Sequence, residues 1–180
     1  MATDTLRHIP VTELMERYRD AERFIALCRQ CPEFNRQWSC PPVAPGIDRQ
    51  LSRWHTATVI ATRIDVPHAT PVAEAALIME PERIRIEKKL LMLEREHGGR
   101  AFTTVGRCLH CGDRPCTRPQ GLPCRHPELV RPSLEAVGFN LSAILSDIFG
   151  IHLNWASDGF CPPVLTLVTA LFHNQAAVSL

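Results

Sequence analysis

No run of apolar residues in this sequence approaches the roughly 18 needed to cross a bilayer, so no spanning helix is expected. The opening residues, MATDTLRHIPVTELMERYRD, lack the apolar core of a signal peptide, which points to the cytoplasm. Glycine-rich phosphate loops and nucleophile elbows are missing as well, which removes the commonest nucleotide and acyl-transfer sites. Aromatic residues are scarce, and Trp38, Trp54 and Trp155 are not interleaved with basic residues as on a nucleic-acid surface. The net charge of +1 gives no global reason to bind a membrane or a nucleic acid. There is no low-complexity tract, and nothing repeats beyond two groups of cysteines.

Cysteine is what the chain does have. In a reducing compartment, eight cysteines argue for metal or redox chemistry rather than a disulfide framework. Four of them, Cys108, Cys111, Cys116 and Cys124, lie in GRCLHCGDRPCTRPQGLPCRHPELVRP, with gaps of two, four and seven residues. Pro115, Pro119, Pro123, Pro127, Gly112 and Gly121 keep this stretch out of helix and sheet. Something other than a backbone ladder has to shape it, and a bound metal is the obvious candidate. Two cysteines separated by two residues turn both sulfurs onto one centre, and soft thiolates hold soft or borderline metals. Arg107, Arg114, Arg118, Arg125 and Arg131 stand against only Asp113 and Glu128. Their guanidinium groups would offset thiolate charge and lower the thiol pKa values.

A second group, Cys28, Cys31 and Cys40, lies in CRQCPEFNRQWSCPP, where Pro32, Pro41 and Pro42 again break regular structure. A Cys-Pro pair also closes the bacterial ferredoxin run, although the spacings here differ. Structural zinc usually shows two close cysteine pairs. The unequal gaps here favour an iron–sulfur cluster, of the four-iron four-sulfur type, in one or two copies, with zinc as the alternative. The four later cysteines could close one site and the first three hold a second, or the groups could exchange ligands. Cys161 could complete a second set of four, but a lone cysteine before a buried strand is more often packed as a small hydrophobe. His110 and His126 flank ligands and could replace a cysteine, though such histidines more often support a ligand than act as one.

The length of 180 residues fits one domain spanning 1–180 with a real core. A helix is expected from Val11 to about Gln30, with Thr12 as its cap and Leu14, Tyr18, Ala21, Ile25 and Cys28 on one face. Thr56–Ile64 reads as a strand, and Val72–His97 as helical, with Pro81 opening a second helix and Gly98-Gly99 ending it. Ala101–Val105 is the next strand, feeding the chain into the cysteine loop through a crossover. Ser133–Val137 and Ser142–Phe149 look helical, with Gly138 between them. Ile151–Trp155 reads as a short strand and Val164–Phe172 as a buried central one. The fold class expected is α/β: a small mixed sheet with crossover helices and two cysteine-rich metal-binding loops. The carboxylates Glu80, Glu82, Glu87, Glu94 and Glu96 read as a solvated helix face.

The pieces CRQCPEFNRQWSCPP, GRCLHC, PCRHPE and RPSLEAVGFN resemble an uncharacterised prokaryotic family described as predicted metal-binding. The resemblance implies a cysteine-ligated metal or iron–sulfur site at Cys28, Cys31, Cys40, Cys108, Cys111, Cys116 and Cys124. It implies no reaction. The function expected is iron–sulfur binding with a redox or electron-transfer role, the basic loop docking an acidic partner enzyme. The alternatives are a zinc-stabilised interaction module and an enzyme that uses an open iron position beside the three-cysteine group.

Overall fold

The computed structural model describes residues 1–43 and 46–180. They form a four-stranded sheet in the spatial order β1 (Ala2–Pro10), β2 (Thr56–Asp65), β4 (Val164–His173) and β3 (Arg100–Phe102). Neighbouring strands are antiparallel throughout. Because β2 and β3 both oppose β4, they run in the same direction with β4 between them, and helix α4 (Ala75–His97) carries the chain across. The α/β class and the crossover helix are therefore as expected, and both strand directions occur without any adjacent parallel pair.

The period-two geometry of strands splits the apolar residues of β2 and β4 between two faces. On one face Ala57, Val59, Ala61, Val168, Ala170 and Phe172 pack with Leu14, Tyr18, Phe139, Ile144 and Leu145. On the other, Ile60 and Leu171 pack with Ile86, Leu90 and Leu93 of α4. VLTLVTALF, with apolar residues on both of its alternating faces, is the central strand its composition suggests.

Several local expectations are corrected. The helix expected over Val11 to Gln30 is two helices, α1 (Val11–Tyr18) and α2 (Ala21–Cys28), and α1 is led in by Pro10 rather than capped by Thr12. Between them Arg19 is extended and bridges to Phe139, while the Asp20 carboxylate accepts the Arg23 N–H at 3.1 Å and caps α2. Pro81 does not begin a second helix; it lies inside the 23-residue α4, which follows a short 3-10 turn at Val72–Glu74. Gly98 ends α4 as expected, with a φ of 65° that favours glycine. The strand at Ala101–Val105 shortens to Arg100–Phe102, and Ile151–Trp155 forms none. Strand β1 and the short helix α3 (Ile47–Leu51) carry no clear apolar signal: only Ile9 is buried in β1. Helix α5 (Leu141–Phe149) is capped by the Asn140 side chain.

Candidate metal centre

Residues 104–132 leave the sheet after β3 and return beside the point of departure. Thr103 makes a parallel bridge with Ser133, its N–H donates to the Pro132 carbonyl at 3.0 Å, and its hydroxyl donates to Arg131 O at 3.1 Å. Arg131 grips Glu94 of α4 through two donors, and Glu94 accepts the Ala101 N–H at 2.6 Å. Burial alone would raise the Glu94 carboxyl, but the Arg131 guanidinium and that N–H hold it below the ordinary carboxylate range.

Beyond this neck the two cysteine loops are tied to each other by side chains. Arg118 donates to the carbonyls of Gln37 at 2.8 Å, Cys40 at 2.6 Å and Pro42 at 2.6 Å, and to the Asn35 side chain at 3.0 Å. Its guanidinium lies over the Trp38 ring at 5.1 Å. The Trp38 indole donates to the Thr117 hydroxyl at 3.2 Å, which in turn donates to Pro123 O at 2.8 Å. Buried Gln37 accepts the Cys108 N–H at 2.5 Å and donates to Glu33 at 2.6 Å. The planar five-donor guanidinium is suited to satisfying several loop carbonyls at once. The proline-broken loops are thus shaped by these bonds, and not by metal ligation alone as their composition suggested.

Cys108, Cys111, Cys116 and Cys124 all line one cavity of about 280 Å³. Arg107, Arg114 and Arg125 stand around it, and Arg125 donates to Pro115 O at 2.8 Å with its terminal nitrogen 3.8 Å from Cys111 Sγ. The Cys124 sulfur lies 3.4 Å from the His126 N–H. His110 also faces this cavity, but its Nε2 pairs with Glu87 at 3.3 Å, and that bond raises its pKa. Glu87 is largely buried here rather than part of a solvated helix face.

Cys28, Cys31 and Cys40 line a separate cavity of about 130 Å³, walled by Phe34, Pro41, Val105 and Ala136. Glu33 borders both cavities. The second cavity also receives Glu135, from the 3-10 turn Glu135–Val137. Its Oε2 is closed off from solvent without a hydrogen-bond partner, and burial pushes its pKa up to about 7. The turn is held against α2 at Gly138, whose φ is 95° and where a Cβ would stand 2.6 Å from the Ala21 Cα.

Burial pushes the Cys28, Cys40 and Cys108 thiols up, with Glu135 adding to the effect at Cys28. The lowering expected from nearby guanidinium groups does not prevail at these three: at Cys40 the pull of Arg118 is weaker than burial. A metal entering either cavity therefore has to displace protons from partly buried thiols. All eight cysteines are free. Among the described residues no three His, Cys, Asp or Glu side chains already converge tightly enough for one ion. The donor set nonetheless fits a thiophilic centre: four thiols on one wall, three thiols and the carboxyls of Glu33 and Glu135 on the other. Cys161 belongs to neither cavity; it borders a larger apolar groove, with its sulfur 3.5 Å from Pro71 O.

Reading the sequence alone missed Gln37, Glu135 and the specific role of Arg118. The one available signal was an acid inside the otherwise apolar LEAVGF. Among the described residues no helix is long and apolar enough to cross a membrane. No curated protein and no solved structure matches the chain. A family model described as predicted metal-binding protein (DUF2284) matches residues 15–169, a span holding both cysteine groups and Glu135. The chain belongs to that family of predicted metal-binding proteins.

Proposed function

We propose that this metal-binding chain, acting as one domain, holds an iron–sulfur cluster at Cys108, Cys111, Cys116 and Cys124, a second centre at Cys28, Cys31 and Cys40, and passes electrons to a partner enzyme. The observation that carries the reading is the four thiols spread over the wall of a 280 Å³ cavity. A single zinc ion draws four thiolates in to about 2.3 Å, whereas a cluster of several irons and sulfides needs its ligands further apart. When bound, such a cluster supplies one-electron chemistry.

The chain's own groups then have definite tasks. The cysteines bind as thiolates, Arg125 and its neighbours offset their charge, and the Cys108 and His126 backbones are held where they frame the sulfurs. Arg107 and Arg114, at the cavity rim, form the docking face for an acidic partner, which charge complementarity would steer. A reducing compartment such as the cytoplasm suits eight free thiols.

Anaerobically purified protein should be brown, bleach with dithionite, and contain iron and acid-labile sulfide. Colourless protein with stoichiometric zinc would instead make it a zinc-stabilised interaction module.

A further inference from the structure

Four side-chain polar atoms among the described residues are buried without a partner, and two of them, Glu135 Oε2 and Ser39 Oγ, belong to residues on the wall of the three-cysteine cavity. Native proteins seldom leave such atoms unpaired, because each forfeits its hydration. The remaining chemistry of the wall explains what would satisfy them. Three thiols and two carboxyl groups face the space, and no Arg, Lys or His lies among its described lining residues. Glu33, one of the carboxyls, already accepts from Gln37 at 2.6 Å. Glu135 Oε2 is left as the uncommitted acidic oxygen beside three potential thiolates. A wall with that composition calls for a cation.

The backbone holds this juxtaposition in place. Cys28 is the last residue of α2, and Ala21 in the first turn of α2 packs on Gly138, three residues beyond Glu135. Asp20 N–H donates to Gly138 O at 2.9 Å, and Asn140 N–H to Tyr18 O at 2.8 Å. The helix that delivers Cys28 and the turn that delivers Glu135 are therefore one packed unit. Cys161, the only cysteine outside both groups, borders the apolar groove instead and does not line this cavity.

We propose that Glu135 is the fourth ligand, an oxygen donor, of the centre held by Cys28, Cys31 and Cys40. The inference rests on the reading above that these three thiols bind metal. A carboxylate oxygen can complete a four-coordinate set with thiolates. On binding, each protonated donor releases its proton to solvent as the metal bond forms. The carboxylate then fills the position that three cysteines leave open, and Ser39 supplies a hydroxyl beside Cys40.

The test is a cobalt(II) titration of the full-length protein under anaerobic conditions, read by thiolate-to-cobalt charge-transfer absorption and by competition with a chelator. Wild type is compared with Cys28→Ser, Glu135→Gln and Glu135→Cys. Loss of one cobalt site in Cys28→Ser establishes that the three-thiol centre exists; no change there removes that reading and this inference with it. Given that loss, Glu135→Gln should weaken the same site at least about tenfold, the scale seen when even a supporting group of a metal site is removed. Glu135→Cys should restore tight binding, with charge-transfer intensity at that site rising in the ratio of four thiolates to three. Wild-type affinity and spectrum in Glu135→Gln would overturn the proposal. Thermal melts of the metal-free variants guard against misfolding: removing an acid whose Oε2 is buried without a partner should leave Glu135→Gln at least as stable as wild type. Should Glu135→Gln nevertheless fail to fold, Glu135→Cys decides, since recovery of cobalt binding supports ligation and its failure refutes it.

Discussion

The cavity bounded by Cys108, Cys111, Cys116 and Cys124 carries Arg107, Arg114 and Arg125 around it, whereas the one bounded by Cys28, Cys31 and Cys40 is walled by Phe34, Pro41, Val105 and Ala136 and holds a buried carboxyl. The first supplies positive charge from its own loop to balance thiolates. The second leaves that balance to whatever enters it. The difference teaches that two thiol-rich cavities sharing Glu33 and one clamp can differ in the charge of their surroundings, one ringed by guanidinium groups and one lined by acidic and apolar side chains.

The largest effect expected is the loss of one centre at a time. Cys108→Ser should empty the four-thiol cavity and leave the metal at the other, and Cys28→Ser should do the reverse, as read by elemental analysis of anaerobic protein. If either variant emptied both, the two cavities would be one site and the contrast would fall.

Next comes the clamp that joins them. Arg118→Ala removes donors from three loop carbonyls and from Asn35. It should cost about 3 kcal/mol in urea unfolding of the metal-free protein, since bonds from charged donors are the stronger kind. No measurable change would mean that the loops do not need each other.

A smaller, pH-dependent effect is expected at the neck. Glu94→Gln should cost about 2 kcal/mol at pH 7, as the ion pair with Arg131 is lost and one of the two acceptor oxygens becomes a donor. The Glu94 carboxyl is held below its ordinary value of 4.5, so its contribution is complete above that pH and fades as pH falls through the lower folded value. Unfolding curves of wild type and variant should therefore converge in acid; a gap that persists there would contradict the assignment.

The smallest effect belongs to Cys161→Ser. With its sulfur only 3.5 Å from Pro71 O and outside both cavities, the change should leave metal content intact and alter stability by less than about 0.5 kcal/mol. Loss of metal would place Cys161 in a ligand set.

The sequence patterns that proved readable are those in which neighbours in the chain act together. Val164–Phe172 carries apolar residues on both alternating faces and became the central strand, and Gly98 stopped α4 because only local backbone conformation was at stake. Each group of cysteines lines one cavity, because each is contiguous in the chain. What stayed hidden depends on distant partners. The break at Arg19 exists because that residue meets Phe139 and Val137 across the fold, while the apolar stripe of α1 and α2 runs on past it. Strand β1 buries only Ile9 because it is an edge strand paired to β2 alone, so its sequence shows little alternation. Pro81 sits in α4 beyond Leu77, a residue 72% exposed, on a solvent-facing stretch where local breaker signals mislead. Ile151–Trp155 has strand-like composition but found no partner among the described residues. Glu135 was concealed for the same reason: its apolar neighbours hint at burial, but nothing local identifies the cavity it lines with distant Cys28 and Cys31.

The parallel return at Thr103 and Ser133 has a consequence for how the molecule would register what it carries. A chain that comes back in the direction it left cannot do so by a tight hairpin; it must make a long excursion, a route usually given to a helix. Here residues 104–132 make that excursion, with four thiols inside it. Filling the cavity shortens the wandering of the excursion and steadies the two ends it connects. The Thr103 amide, bonded across the gap to Pro132, is thus a natural gauge of occupancy: its exchange with deuterium should slow when the site is loaded.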